Sequence, residues 1–402
     1  MPWPAAVLLT PDLPLPSGSG RAMRAWGWLT ELAREYRVHV LVAGPLPLGW
    51  THPAGYPAAS VRSLSGLVRL PSRQERLAGA LFPPLALLSH RFVLDWQMSR
   101  FEEPEPTADA GQVQRIVVFR VYLHDVAKSL FTRYPDATRI LDMDDVESQT
   151  RLSVARALLR AGKFKRAVAQ LAAAAAFRLI EGRLCKGYAK TYLASPDDAT
   201  RLDRRTCGPV TCRPNRVRLP DDPAHRRSGG ALSLLFVGSL DYFPNEEAAR
   251  LLATQLAPIL RKQLDLPWTI TIAGRSAPQA LSALLRRSPG IRYVPDAEDL
   301  SALYAAAHIV LVPLRSGGGT KVKMLEALAH RRPVISTREG VRGLAVTPSQ
   351  HYFAAETLIE CAAVIGRIVS GELDGERVAE DGWRLCRQLY SQYDERIDGT
   401  PA

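Results

Sequence analysis

The chain has 402 residues, long enough for two ordinary domains, and its 47% apolar and 23% charged content excludes a disordered or collagen-like polymer. Five cysteines at irregular spacing exclude a disulfide framework and a paired CxxC zinc site, which fits a reducing compartment. The net charge of +12 falls wholly within residues 1–220, and residues 151–190 carry ten basic side chains against one acid, Glu181. Such a stretch suits an anionic surface, whether phospholipid head groups, nucleic acid or a polyanionic substrate.

In chain order, the first sixteen residues (MPWPAAVLLTPDLPLP) lack a basic start and are broken by proline, so no signal peptide is expected. The apolar runs at 77–88 and 171–177 are shorter than the roughly 18 residues that a membrane-spanning helix needs. Short aliphatic runs then alternate with amphipathic ones. Strands are expected at 5–9, 38–42, 116–119, 140–141, 191–194 and 217–219, with a helix at 22–35 and a basic helical stretch over 151–190. Residues 44–111 show no clear period. After a polar, Pro- and Gly-containing linker at 219–230, a second series follows. It has strands at 232–237, 268–272, 291–294, 309–312 and 334–336, and helices at 245–262, 278–287, 298–306 and 321–330. This alternation means parallel sheets with crossover helices, so ligands belong at the carboxyl ends of strands.

Two glycine-bearing turns follow such strands. Ser17-Gly18-Ser19-Gly20 opens the first long helix, where free N–H groups attract phosphate or a polar sugar; a turn needing positive φ reads equally well. Denser is the segment 310–337, in which Gly317, Gly318 and Gly319 expose backbone donors just before Thr320, expected to cap a helix. At about 100° per residue, Lys323 and Glu326 are neighbours on that helix, near the Thr320 side. Glu326 reads either as a surface partner of Lys323 or as a carboxylate gripping the two ribose hydroxyls of a nucleotide. Arg315, Lys321 and Lys323 would neutralise a diphosphate. His124 is read either as a structural histidine or as a contact to sugar or phosphate. The carboxylates Asp142, Asp144 and Asp145 follow a strand and precede a helix, where capping is the expected role rather than metal binding.

Three runs, PLRSGGGTKVKMLEALAHRRPVIST (313–337), FVGSLDYFPNEEAARLL (236–252) and YVPDAEDLSALYAAAHIVLVP (293–313), resemble the C-terminal half of group 1 glycosyltransferases. Residues 8–44 look like the family's glycine-bearing first turn and helix. ILDMDDVES (140–148) resembles the branch that includes sugar transferases of bacterial polysaccharide and surface-glycan systems. The resemblance implies an α/β chain of the GT-B fold: two Rossmann-like, doubly wound parallel-sheet domains facing a central cleft. An acceptor-side domain would span 1–218 and a nucleotide-sugar domain 231–375, with a last helix over 376–402 returning to the first domain. It implies a retaining, metal-independent transfer, of the hexosyltransferase type, from a nucleotide-diphosphate sugar to a sugar or lipid-linked acceptor, with no cofactor.

By the same resemblance Glu326 matches the glutamate that holds the donor ribose, with Lys323 and His124 in the catalytic group. Gly18, Gly20, Gly238, Arg275, Arg315, Gly317, Gly318, Gly319, Thr320 and Lys321 would face the donor. The family's first motif glutamate would fall at Gly318, so the backbone of Gly318, Gly319 and Thr320 is expected to replace it. The usual basic pair is absent from SLDYFPN, which leaves Arg275 and Lys321 or Lys323 to meet the diphosphate. The expected location is the cytoplasm, with the basic domain against the inner membrane face. Two other readings are a sugar-nucleotide epimerase of the same fold and a non-enzymatic polyanion-binding protein. Nucleic acid is not an expected partner, because no binding motif is present and aromatics make up only 7% of the chain.

Overall fold

The computed structural model describes residues 3–64, 113–203, 210–220, 223, 231–297 and 300–391. The chain divides into two units: Met1–Pro214 with Ser316–Thr320, and Asn215–Arg315 with Lys321–Ala402.

Among the described residues, the first unit is built on seven parallel strands: β1 (Ala5–Thr10), β2 (Arg37–Val42), β3 (Ser60–Ser63), β4 (Val113–Phe119), β5 (Thr138–Asp144), β6 (Lys190–Leu193) and β7 (Val210–Cys212). Their order across the sheet is β3-β2-β1-β4-β5-β6-β7. Every residue of β1 is buried, as expected of a parallel strand covered on both faces. Because successive side chains point to opposite faces, Ala5, Val7 and Leu9 enter one core while Ala6 and Leu8 enter another. The crossovers are α1 (Gly20–Leu32), α2 (His124–Arg133), α3 (Glu147–Arg160), α4 (Phe164–Cys185) and α5 (Pro196–Asp203).

The second unit has six parallel strands: β8 (Leu232–Val237), β9 (Trp268–Gly274), β10 (Ile291–Pro295), β11 (Ile309–Val312), β12 (Val334–Ser336) and β13 (Phe353–Ala354). The order β10-β9-β8-β11-β12-β13 is the doubly wound 3-2-1-4-5-6 arrangement, whose switch point lies between β8 and β11. Its helices are α6 (Phe243–Leu251), α7 (Ala257–Gln263), α8 (Gln279–Arg287), α9 (Leu300–Ala306), α10 (Val322–Ala329), α11 (Leu358–Val369) and α12 (Gly375–Leu389).

The structure corrects the sequence reading in three places. The seventh strand of the first sheet is Val210–Cys212, which pairs with β6, and not residues 217–219; Val217 instead donates its N–H to Tyr390 in an isolated bridge. The helix expected over 245–262 is divided by a π turn at Leu252–Leu256, just before Pro258, which has no N–H to offer residue 254. Thr320 does not cap α10; Lys321 occupies that position without a side-chain cap bond, because the turn runs one residue further before becoming helical. Residues 65–112 and most of the expected linker lie outside the described residues. α12, the segment expected to return to the first domain, groups with the second unit. There Gly382 abuts Leu328 and Cys386 Sγ lies 3.6 Å from the Leu325 carbonyl.

Candidate functional site

At the switch point of the second sheet, the turn leaving β8 and the turn leaving β9 are stitched together. Gly238 donates to the Ala273 carbonyl at 3.0 Å, Leu240 to the Arg275 carbonyl at 2.9 Å, and Arg275 Nε to Ser239 Oγ at 3.1 Å. Two glycines are required by close approach. A Cβ at Gly274 would overlap the Gly238 carbonyl oxygen, and one at Gly238 would stand 2.7 Å from Lys323 Nζ and 2.8 Å from Asn245. Gly238 therefore holds open the space that the Lys323 ammonium occupies.

Lys323, on the first turn of α10, donates to Asn245 Oδ1 at 2.6 Å and lies 4.5 Å over the Phe236 ring. Burial, with the Lys321 charge adding to it, pulls its pKa down to about 7, against the opposing pull of Glu326. Burial likewise pushes Glu326 up to about 7, although a hydrogen bond from Tyr304 and the charge of Lys323 favour its ionised form. Tyr304 Oη donates to Glu326 Oε2 at 3.0 Å, and its ring stacks on His330 at 4.9 Å between centroids. His330 in turn meets the Glu326 carbonyl at 2.8 Å and Ser301 Oγ at 3.2 Å. Tyr304 thus fixes one carboxylate oxygen and leaves the other as an acceptor. Lys321 is buried, with Nζ 3.6 Å from Glu339 Oε1. Arg315 is exposed and borders a shallow hollow with Thr337 and Glu356.

The segment Ser316–Thr320 groups with the first unit. Its three glycines meet different needs: Gly317 and Gly319 have φ of +129° and +58°, while a Cβ on Gly318 would overlap Thr150 Oγ1 and Asp145 Oδ2. Gly317 N–H donates to Ser153 Oγ at 3.2 Å.

In the first unit, Gly18 (φ +108°) makes the turn into α1, and Ser19 caps that helix by accepting from the Ala22 N–H at 3.1 Å; Gly20 is its first residue. His124 opens α2 with Nδ1 2.8 Å from Tyr188 Oη, in an aromatic trio with Tyr188 and Phe131. The acidic run at the carboxyl end of β5 is neutralised by arginine. Arg24 donates to both oxygens of Asp142 at 2.8 and 2.9 Å. Arg120 reaches Asp144, Asp145 and Glu147 at 2.9, 2.7 and 2.8 Å. Asn245, Tyr304 and Arg120 were not singled out in the sequence. Their partners lie 78, 22 and 24–27 residues away, and no local spacing reports such contacts.

Two parallel sheets in these strand orders define a two-domain Rossmann-like protein, and solved structures of that class share its course. The chain is similar to sucrose-phosphate synthase from Thermosynechococcus elongatus, at 15% identity and TM-score 0.66 over 96% of this chain and 95% of that one. It is similar to a glycosyltransferase from Rickettsia africae, at 12% and 0.60 over 96% and 94%, and to Anabaena HepE in complex with UDP, at 12% and 0.59 over 96% of each. The fold is GT-B. Residues 231–369 match the family model of Glycosyl transferases group 1, so the second unit is a group 1 glycosyltransferase domain, the family its motifs resemble. No curated protein matches the chain.

Proposed function

We propose that this protein transfers a sugar, with retention of its anomeric configuration, from a nucleoside-diphosphate sugar to a sugar-bearing acceptor on the cytoplasmic side of the membrane. The observation that carries the reading is the Lys323–Glu326 pair at the doubly wound switch point of a group 1 glycosyltransferase domain, each group held near neutrality by burial. A diphosphate arriving beside Lys323 stabilises its ammonium, and Lys321 and Arg275 add positive charge where the family's basic pair is missing. The free oxygen of Glu326 accepts from the ribose hydroxyls while Tyr304 keeps the carboxylate in place.

The leaving group sets the mechanism. The bond from the anomeric carbon to the diphosphate oxygen breaks as the bond to the acceptor oxygen forms on the same face, and the acceptor's proton passes to the departing phosphate. Positioned cations stabilise the developing negative charge, so neither a strong base nor a bound metal is needed for that step. The nucleotide is supported by the neighbour HepE, whose structures hold UDP and UDP with glucose. Sugar-phosphate acceptors are supported by a trehalose-phosphate synthase from Burkholderia xenovorans in complex with glucose-6-phosphate. A lipid-linked sugar offers the same acceptor hydroxyl.

The test is turnover with a panel of nucleotide sugars and acceptors, following nucleoside diphosphate release and the anomer of the product. Glu326→Ala should lower kcat/KM at least about a hundredfold, the cost of losing a charged hydrogen bond worth roughly 3 kcal/mol. Near-normal turnover in a folded Glu326→Ala protein would remove the residue from the site. A rearranged donor sugar formed without acceptor would mean epimerisation instead.

A further inference from the structure

The hairpin of α3 and α4 presents a surface that the proposed chemistry does not use. α4 runs 22 residues, about 33 Å at the usual rise. Its inner face packs Ala167, Ala174, Phe177 and Cys185 against the unit, and its one acid, Glu181, is buried there, accepting from the Ser148 N–H at 2.9 Å and Ser148 Oγ at 2.6 Å. The outer face inverts the usual pattern of an amphipathic surface helix. Phe164, Val168, Leu171 and Leu179, spaced to fall on one side, are 65%, 60%, 38% and 66% exposed, with Ala175 between them. Leu159, at the end of α3 beside the hairpin tip, is 39% exposed. Exposed cations flank this stripe: Lys165, Arg178 and Arg183 on α4, and Lys186 just beyond it; Arg156 and Arg160, at the end of α3, are also exposed.

We infer that the outer face of α4 docks on an anionic phospholipid bilayer, with Phe164, Val168, Leu171 and Leu179 sinking into the head-group boundary and the flanking cations meeting lipid phosphates. Charge selects this occupant over a second copy of the chain. Two such faces would bring like charges together, since both acids of the hairpin, Glu147 and Glu181, are buried. Long basic side chains can lie along the apolar stripe with their charged ends in the head-group layer, which suits an interfacial helix. No described helix is long and apolar enough to cross a membrane, so the contact is one of surface docking. The inference rests on this face alone and is independent of the transfer reaction.

The experiment is co-sedimentation of the full chain with phosphatidylcholine vesicles and with vesicles that also contain phosphatidylglycerol, across a salt series. Binding should require phosphatidylglycerol and weaken with salt. The double variant Phe164→Ser/Leu179→Ser should bind at least about tenfold more weakly, while its melting temperature stays unchanged because both side chains are already exposed. Lys165→Glu/Arg183→Glu tests the charges separately and should lose about tenfold or more. Equal binding to both vesicle types would overturn the inference, as would unchanged binding in both variants. It would also be overturned by a concentration-dependent dimer in sedimentation equilibrium that the serine variant abolishes.

Discussion

At the carboxyl end of β5 the first unit sets Asp142, Asp144, Asp145 and Glu147 against Arg24 and Arg120. At the start of α10 the second unit sets Lys321, Lys323 and Glu326 among an asparagine, a tyrosine and a more distant glutamate. Both clusters follow strands of a doubly wound sheet and both are largely withdrawn from water. Their electrostatics diverge. Burial works against the guanidinium of Arg120, but Asp145, Glu147 and Asp144 outweigh it and hold the group firmly charged. Burial works equally against Lys323 and Glu326, and there the neighbours do not outweigh it, so both move to about 7. One network carries the opposing charges that hold its guanidinium ionised, although burial still raises the pKa of Asp144 and Glu147 and leaves Arg120 Nε without a partner. In the other, the neighbours do not hold either group charged, the pattern expected of a site prepared at some cost to stability.

The largest effect should come from breaking the arginine–carboxylate network. Arg120 sits at a φ of +84°, a region that a non-glycine residue enters only when its surroundings hold it there. Arg120→Ala would relieve that strain only in part while leaving the buried Asp145 and Glu147 and the half-buried Asp144 without their shared cation. A loss of about 3–5 kcal/mol is expected in denaturant unfolding. Arg120→Lys should not restore it, since an ammonium cannot reproduce the guanidinium fork. A loss under about 1 kcal/mol would show that Arg120 does not hold the carboxylate cluster together.

The lysine–glutamate cluster should respond with the opposite sign. Because the folded-state pKa of Glu326 is raised to about 7 from 4.5, the native protein keeps a proton between those values that the unfolded chain releases. Stability therefore falls as pH rises through that window. Glu326→Gln retains an acceptor for Tyr304 but cannot ionise, so it should match the parent at pH 4.5 and exceed it above pH 7 by on the order of 1–3 kcal/mol. Lys323 behaves in mirror image: its folded pKa is lowered to about 7 from 10.5, so the parent regains stability as pH rises from 7 toward 10.5. Lys323→Met should accordingly help most at and below pH 7. Melting temperatures across that range decide the matter; offsets that do not change with pH would mean the two groups are not strained as described.

The strands of both sheets were legible because parallel strands covered on two faces read as short aliphatic runs, as β1, β8 and β11 do. β3, with the sequence SVRS and no buried residue, carries no such signal, and β13 is two residues long. Among the candidate residues, Gly317–Thr320 and Glu326 stand out in the sequence because a glycine run before a helix is a local pattern. The reason for three successive glycines was not legible, since Gly318 answers to Thr150 and Asp145, far away in sequence. The arginine pairing of the DMDD carboxylates was hidden for the same reason: Arg24 and Asp142 are 118 residues apart.

The smallest effect belongs to the group that joins pattern and packing. Tyr304 is almost wholly buried, stacked on His330, and its hydroxyl is the contact that orients Glu326. Tyr304→Phe keeps the ring and the stacking and removes one hydrogen bond, so folding should be nearly unaffected while the carboxylate gains rotational freedom. Because Tyr304 acts through Glu326, the loss should appear as a rise in donor KM of about tenfold, roughly the 1.4 kcal/mol that a hydrogen bond to a charged group contributes, with kcat changed far less. In a Glu326→Ala background the same substitution should add nothing, since the group it positions is already gone. If the two losses instead multiply, Tyr304 contacts the donor directly and is a binding group in its own right.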